Sequence, residues 1–170
     1  MTDNNRYSIY CCAPISGRTY DEVIIYYEEI RRDLIAFGLH PLIPMVRRDH
    51  DNDPNVPAHG QLHPASSDKS ITNRDRWMVK SSDIVYANLI GATRVSIGTC
   101  MELAWAYDRG KHVIIAMEDD NLHRHAFVNT AADAIFASHL EAMAYILDLA
   151  LTMNNVKGMA DLKTIQNKKA

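Results

Sequence analysis

The sequence predicts an α/β fold: a three-layer α/β/α sandwich around a parallel five-stranded sheet. Short β-prone apolar runs alternate with helical patterns along the whole chain, and that alternation implies right-handed crossovers and a parallel sheet covered on both faces. The chain has 170 residues, 47% of them hydrophobic, enough for one core and too few for two ordinary domains. Glycine and proline punctuate the switches between patterns. The expected arrangement is Rossmann- or flavodoxin-like, and in such sheets ligands bind beyond the C-terminal strand ends, where the strand order reverses.

The elements follow in order. Tyr7 to Cys12 reads as a first strand, broken by the turn-forming loop Ala13-Pro14-Ile15-Ser16-Gly17-Arg18. A helix follows from Thr19 to Phe37. Val23, Tyr26, Tyr27, Ile30, Leu34 and Phe37 recur there at spacings of three and four, Thr19 and Glu22 form a capping pair, and Gly38 stops the helix. Leu39 to Met45 is a second buried strand. Residues 47–68 hold three of the six prolines and almost no apolar residues, so they read as a long loop of the kind that covers binding sites. A helix from about Ser70 to Ser81, a strand at Asp83 to Ala87 and a loop from Asn88 to Ser96 come next. Gly98 to Arg109 is a helix stopped by Gly110, His112 to Met117 a fourth strand, and Ala134 to Phe136 a short fifth one. A closing helix spans Ser138 to Met153. The expected organisation is a single domain over 1–154 followed by a polar, lysine-bearing tail over 155–170.

Composition narrows the partners. With 18 Lys+Arg against 21 Asp+Glu, the chain has no field that would draw it to a nucleic acid polymer or an anionic membrane. A small-molecule partner is expected. The opening MTDNNRYSIYCC lacks the pattern of a signal peptide, and no run approaches the roughly 18 apolar residues of a membrane span. Cys11, Cys12 and Cys100 are an odd set suited to reduced thiols, so a cytoplasmic location is expected.

The segment Ser96-Ile97-Gly98-Thr99-Cys100-Met101-Glu102 joins a strand-end loop to a helix. Its glycine lets a ligand approach the backbone, and the first-turn N–H groups can hold an anion. Glu102, expected within the first turn or so, would have its charge favoured by the helix dipole; a buried carboxylate held ionised beside a sugar C1′ is what covalent glycosyl transfer needs. At the neighbouring strand end, Ser16, Gly17 and Arg18 could grip a phosphate together with Ser96. Asn88 and Gly98 complete the binding set expected at this crevice.

Other chemistries are set lower. Asp49-His50-Asp51-Asn52-Asp53 begins like a calcium loop, but Pro54 and Gly60 stand where glycine and glutamate are needed. His50, His59 and His63 could hold zinc only without the ligand spacings typical of it. No metal or organic cofactor is expected. A Cys100 nucleophile lacks a nominated base, and a Rossmann oxidoreductase lacks G-x-G-x-x-G after the first strand. Trp77 and Trp105 are core residues or stacking platforms for a base. Leu140, Met143, Ala144, Leu147 and Leu151 form a stripe expected to face the core or a subunit interface.

Tyr10 to Arg18, Asp75 followed eight residues later by Asp83, and SIGTCME ending at Glu102 resemble the nucleoside 2-deoxyribosyltransferase superfamily over roughly residues 7–117. Within it the chain looks most like the 2′-deoxynucleoside 5′-monophosphate N-glycosidases. The resemblance implies that Glu102 attacks C1′ to form a glycosyl-enzyme ester, that Asp75 protonates or steers the departing base, and that the Tyr10 hydroxyl orients the nucleophile. Asp83 has a structural role by the same reading. The transferases carry a further carboxylate before the nucleophile, whereas no Asp or Glu stands between Asp83 and Glu102; this favours hydrolysis over base exchange. The expectation is a hydrolase of (deoxy)nucleoside 5′-monophosphates working as a homodimer or higher homo-oligomer. A nucleoside 2-deoxyribosyltransferase is the first alternative and a non-catalytic nucleotide sensor the second.

Overall fold

The computed structural model describes residues 7–15, 18–44 and 67–167. Ten elements follow one another: β1 (Ser8–Cys12), α1 (Tyr20–Ala36), β2 (His40–Leu42), α2 (Asp68–Ser81), β3 (Ile84–Asn88), α3 (Ile97–Asp108), β4 (His112–Ala116), α4 (Ala126–Ala131), β5 (Ala134–Phe136) and α5 (His139–Asn167). All five strands are parallel, in the order β2-β1-β3-β4-β5. This is the doubly wound order whose reversal lies between β1 and β3, so the crevice belongs at the C-terminal ends of those two strands.

Alternation along the strands builds two cores. Ile9, Cys11, Ile84, Tyr86 and Ile114 face α1 and α5, where Val23, Tyr27, Ile30, Leu34, Ala142 and Ile146 meet them. Tyr10, Cys12, Val85, Ala87, Val113 and Ile115 point the other way, towards Met78 and Val79 of α2, Leu103 and Ala106 of α3 and Val128 of α4. The parity matters for function, because it sends Tyr10 and Cys12 to the same side of the sheet as α2 and α3.

Local chemistry sets the helix ends. Thr19 caps α1 and completes a capping box with Glu22, while Gly38 and Gly110, at φ 80° and 60°, take the left-handed turns that follow α1 and α3. Three boundaries differ from expectation. The second strand is only three residues long. The helix expected from about Ser70 begins two residues earlier, at Asp68, with Ser67 as its cap; the rest of the expected loop over 47–68, with His50, His59 and His63, lies outside the described residues. The last helix runs past Met153 through the expected polar tail to Asn167, as no proline interrupts it there. One element was not anticipated: α4 has six residues, too few to show a period, and starts from a His125 cap. The three cysteines are free thiols, two of them buried.

The expected stripe on α5 divides. Met143 packs into the core beside Ala142, Ile146 and Ala150, whereas Leu140 and Leu151 are exposed. Among the described residues no helix is long and apolar enough to cross a membrane.

Candidate active site

Three elements converge where the strand order reverses. From the middle of β1 comes Tyr10, fully buried; its hydroxyl donates to Glu102 Oε1 at 2.6 Å. Glu102 reaches the same point from α3 and is 8% exposed. Asp75 arrives from α2, one turn beyond Ile71, so both side chains share a helix face. Glu102 and Asp75, together with Cys12, Ala13, Ser96, Gly98 and Thr99, line a cleft of about 190 Å³, and Tyr10 reaches it through its hydrogen bond to Glu102.

Burial sets the electrostatics. It pushes the Glu102 carboxyl up to about 7, with the neighbouring Asp75 charge adding to the rise and the Tyr10 hydrogen bond opposing it. The Tyr10 hydroxyl is raised well above its ordinary value by burial and by the Glu102 charge beside it, so it remains a donor. Glu102 also sits later in α3 than expected. The helix begins at Ile97 with Ser96 as its cap, and its first turn carries no acid. The dipole benefit foreseen for a first-turn carboxylate therefore fades, and desolvation governs the group instead. The site holds an acid poised to ionise near neutrality, not one ionised throughout.

The helix entry is built for close approach. Ser96 Oγ accepts from Thr99 N at 3.3 Å and pairs with Thr99 Oγ1 at 2.9 Å, fixing the first turn of α3. Gly98 lines the cleft, and a side chain placed on it would meet nothing within 4 Å. Asp83 accepts from both the backbone N and the hydroxyl of Ser8, each at 2.8 Å, tying β3 to β1. That is the structural task foreseen for it.

The other expected binding residues are Ser16, Gly17, Arg18 and Asn88. Ser16 and Gly17 lie outside the described residues. Arg18 is exposed, its guanidinium 5.3 Å from the centre of the Tyr26 ring, and its backbone N closes a turn onto Ile15 O. Asn88 is held on the opposite face of the sheet by Ile90 N and His139 Nδ1 and does not line the cleft. Trp77 is 63% exposed, and Trp105 is half-buried with Arg76 over its ring; neither lines the cleft. Tyr27, read as core from its spacing, also borders the cleft. Cys100 belongs to a separate hollow and burial pushes its thiol up, against the lowering a helix start would give.

That hollow, about 370 Å³ between α3 and α4, is the larger of the two. Leu103, Tyr107, Leu122, Phe127 and Val128 make its walls mostly apolar, and it lacks the pair of carboxylates. Convergent polar groups with a shifted acid, not volume, make the smaller cleft the candidate for a reactive site. Among the described residues no cluster of three or more His, Cys, Asp or Glu could hold a metal.

Two carboxylates facing one cleft, one of them oriented by a tyrosine, lead to the class of N-glycosyl transferases and hydrolases. Residues 9–161 match the family model described as nucleoside 2-deoxyribosyltransferase, and the chain belongs to that family. Among solved structures it is similar to a 2-deoxyribosyltransferase from Bacillus psychrosaccharolyticus, with 17% identity, 80% of this chain and 90% of that one covered, and a TM-score of 0.56. It is also similar to the Clostridium botulinum CMP N-glycosidase BcmB, with 18% identity, 84% and 98% covered, and a TM-score of 0.51. At these identities the two structures establish the shared fold. No curated protein matches the chain.

Proposed function

We propose that this enzyme, a single domain over 1–154, hydrolyses the base–sugar bond of (deoxy)nucleoside 5′-monophosphates through a glutamyl-glycosyl intermediate. The observation that carries the reading is the Tyr10–Glu102 hydrogen bond beside Asp75 in one cleft. In the first step a Glu102 oxygen attacks C1′, the C1′–N bond breaks, and its electron pair leaves with the base, which takes a proton from Asp75. In the second, water attacks C1′ as Asp75 accepts its proton, releasing the sugar phosphate and regenerating the Glu102 carboxylate. No cofactor or metal enters either step.

Ser96 and Gly98, at the entry of α3, receive the substrate, and Arg18, with Ser16 and Gly17, takes the phosphate. The phosphate contribution is tested by Arg18→Ala. Loss of a charge-assisted contact lowers kcat/KM for the monophosphate roughly ten- to a hundredfold and leaves the nucleoside unchanged; equal loss on both substrates refutes phosphate recognition by Arg18.

Base exchange is the second reading, favoured by the family the chain belongs to. The missing carboxylate between Asp83 and Glu102 favours hydrolysis. Incubation of each nucleoside and monophosphate, ribo and deoxy, with and without a second base decides between them. Free base from monophosphates alone supports the hydrolase, and a new nucleoside formed only with added base supports the transferase.

The enzyme works in the cytoplasm as a homodimer or higher homo-oligomer. Exposed apolar side chains support the assembly: Phe127, Leu122 and Tyr107 between α3 and α4, and Leu140 and Leu151 on α5.

A further inference from the structure

Outside the cleft, the most completely determined polar cluster joins the segment after β3 to the segment after β4. Its centre is His123, 2% exposed. One ring nitrogen, Nε2, lies 2.8 Å from the backbone N of Ser96, and the other, Nδ1, lies 2.9 Å from Asn121 Oδ1. The Asn121 side-chain nitrogen donates at 2.7 Å to Leu89 O and at 2.7 Å to Glu118 Oε2. Glu118 Oε1 in turn accepts from Gly91 N at 2.7 Å.

The direction of every bond in this chain follows from its ends. Leu89 O and the Glu118 carboxylate can only accept, so the nitrogen of the Asn121 amide must face them and its oxygen must face His123. That oxygen also accepts from His123 N at 3.0 Å. An acceptor at Nδ1 requires the proton to sit on Nδ1, which leaves Nε2 with its lone pair directed at the Ser96 N–H. The ring is thereby fixed as one neutral tautomer, and the pKa lowering that burial imposes acts in the same direction. The cluster grips the segment between β3 and α3 at three backbone points: Leu89 O, Gly91 N and Ser96 N.

Ser96 is the last residue before α3, and its hydroxyl is already committed to capping Thr99. Its backbone N–H has no role within the helix; the histidine takes it. We propose that His123, in its Nδ1-protonated form, is a positioning residue for this enzyme, holding Ser96 and the first turn of α3 where they face the substrate. The proposal rests on the reading of the cleft as the substrate site. A buried histidine would otherwise be ordinary core, replaceable by any apolar side chain of similar volume. Here its lone pair answers a half-buried N–H on the cleft wall, and removing it leaves that donor unpaired.

The test compares the wild type with His123→Leu and His123→Gln, whose side-chain oxygen can take the place of Nε2. Amide hydrogen exchange at Ser96 is expected to speed up about tenfold in His123→Leu and to return towards the wild-type rate in His123→Gln. KM for the monophosphate is expected to rise about tenfold in His123→Leu, more than kcat changes, and to recover in His123→Gln. Unchanged exchange and KM in His123→Leu, or loss without recovery in His123→Gln, overturns the proposal. Nitrogen chemical shifts of the His123 ring in the wild type check the tautomer without any substitution, and a proton on Nε2 also overturns it. If no nucleotide releases base, the functional reading falls, and the Ser96 exchange rates and the tautomer still decide what His123 does.

Discussion

At the scale of single residues the governing fact is that Glu102 is buried, with its carboxyl pushed up to about 7 from an ordinary 4.5. As the proposed nucleophile, Glu102 must be ionised to react, so kcat/KM is expected to fall on the acid side of about pH 7, in a pH–rate profile on the best substrate. Tyr10→Phe deletes a donor that favours the charged form and shifts that limb to higher pH. Coincident limbs in the wild type and Tyr10→Phe would separate Glu102 from the titration. The same shift has a stability consequence. Between pH 4.5 and about 7 the unfolded chain gives up the Glu102 proton while the folded chain keeps it, so stability declines across that window and stays lower above it. Glu102→Gln removes the penalty while keeping an oxygen for Tyr10. It is expected to be inactive yet more stable at pH 8 by on the order of 2–3 kcal/mol, and no more stable at pH 4, in urea titrations. That Glu102 borders the crevice was legible in the sequence from the S-I-G-T-C-M-E segment. Its pairing with Tyr10, 92 positions away, became visible only through resemblance to a family, since no spacing argument spans a sheet.

At the scale of elements, the entry of α3 sets helix stability against substrate space. Gly98 is the second helical residue, and a methyl group there would meet nothing within 4 Å. Gly98→Ala is therefore expected to raise the melting temperature slightly, worth roughly 0.5–1 kcal/mol, because alanine loses less backbone entropy than glycine in a helix. The same methyl occupies cleft volume and should raise KM. A melting curve and a saturation curve on one preparation give both; a lowered melting temperature, or an unaltered KM, contradicts the placement of Gly98 on the cleft wall. Most element boundaries could be read from the chain because local chemistry fixes them: the Thr19–Glu22 box, Gly38 and Gly110 were found at their expected ends. The failures have equally local causes. Six residues of α4 cannot display a 3.6-residue period, and α2 opens at Asp68, ahead of the expected Ser70, because Ser67 caps it. His123 gave no signal in the sequence, because its meaning depends on Ser96, Asn121, Leu89 and Glu118 meeting across two loops.

At the scale of the whole molecule, the strand order β2-β1-β3-β4-β5 places the cleft without reference to any side chain, and what lies outside the cleft bears on assembly. Helix α3 is apolar on both sides. Leu103 and Ala106 bury against the sheet, while Ile97, Met101 and Tyr107 remain exposed, and Tyr107 lines one hollow with Leu122 and with Phe127, which is 82% exposed. Exposed apolar side chains gathered round one hollow, as Tyr107, Leu122 and Phe127 are, are uncommon on a soluble monomer. A second copy of the chain covering this face is the expected outcome, in keeping with the prevalence of two-fold homodimers. Sedimentation velocity over a range of concentrations should show a dimer or larger species for the wild type. Phe127→Asp should shift it towards monomer with little change in melting temperature, since so exposed a ring contributes little to the fold of its own chain. If Phe127→Asp stays assembled while Leu140→Asp dissociates, the contact runs along α5 instead of α3 and α4. A wild type that sediments as a monomer at every concentration would leave both faces open to solvent and end the proposal of a homo-oligomer.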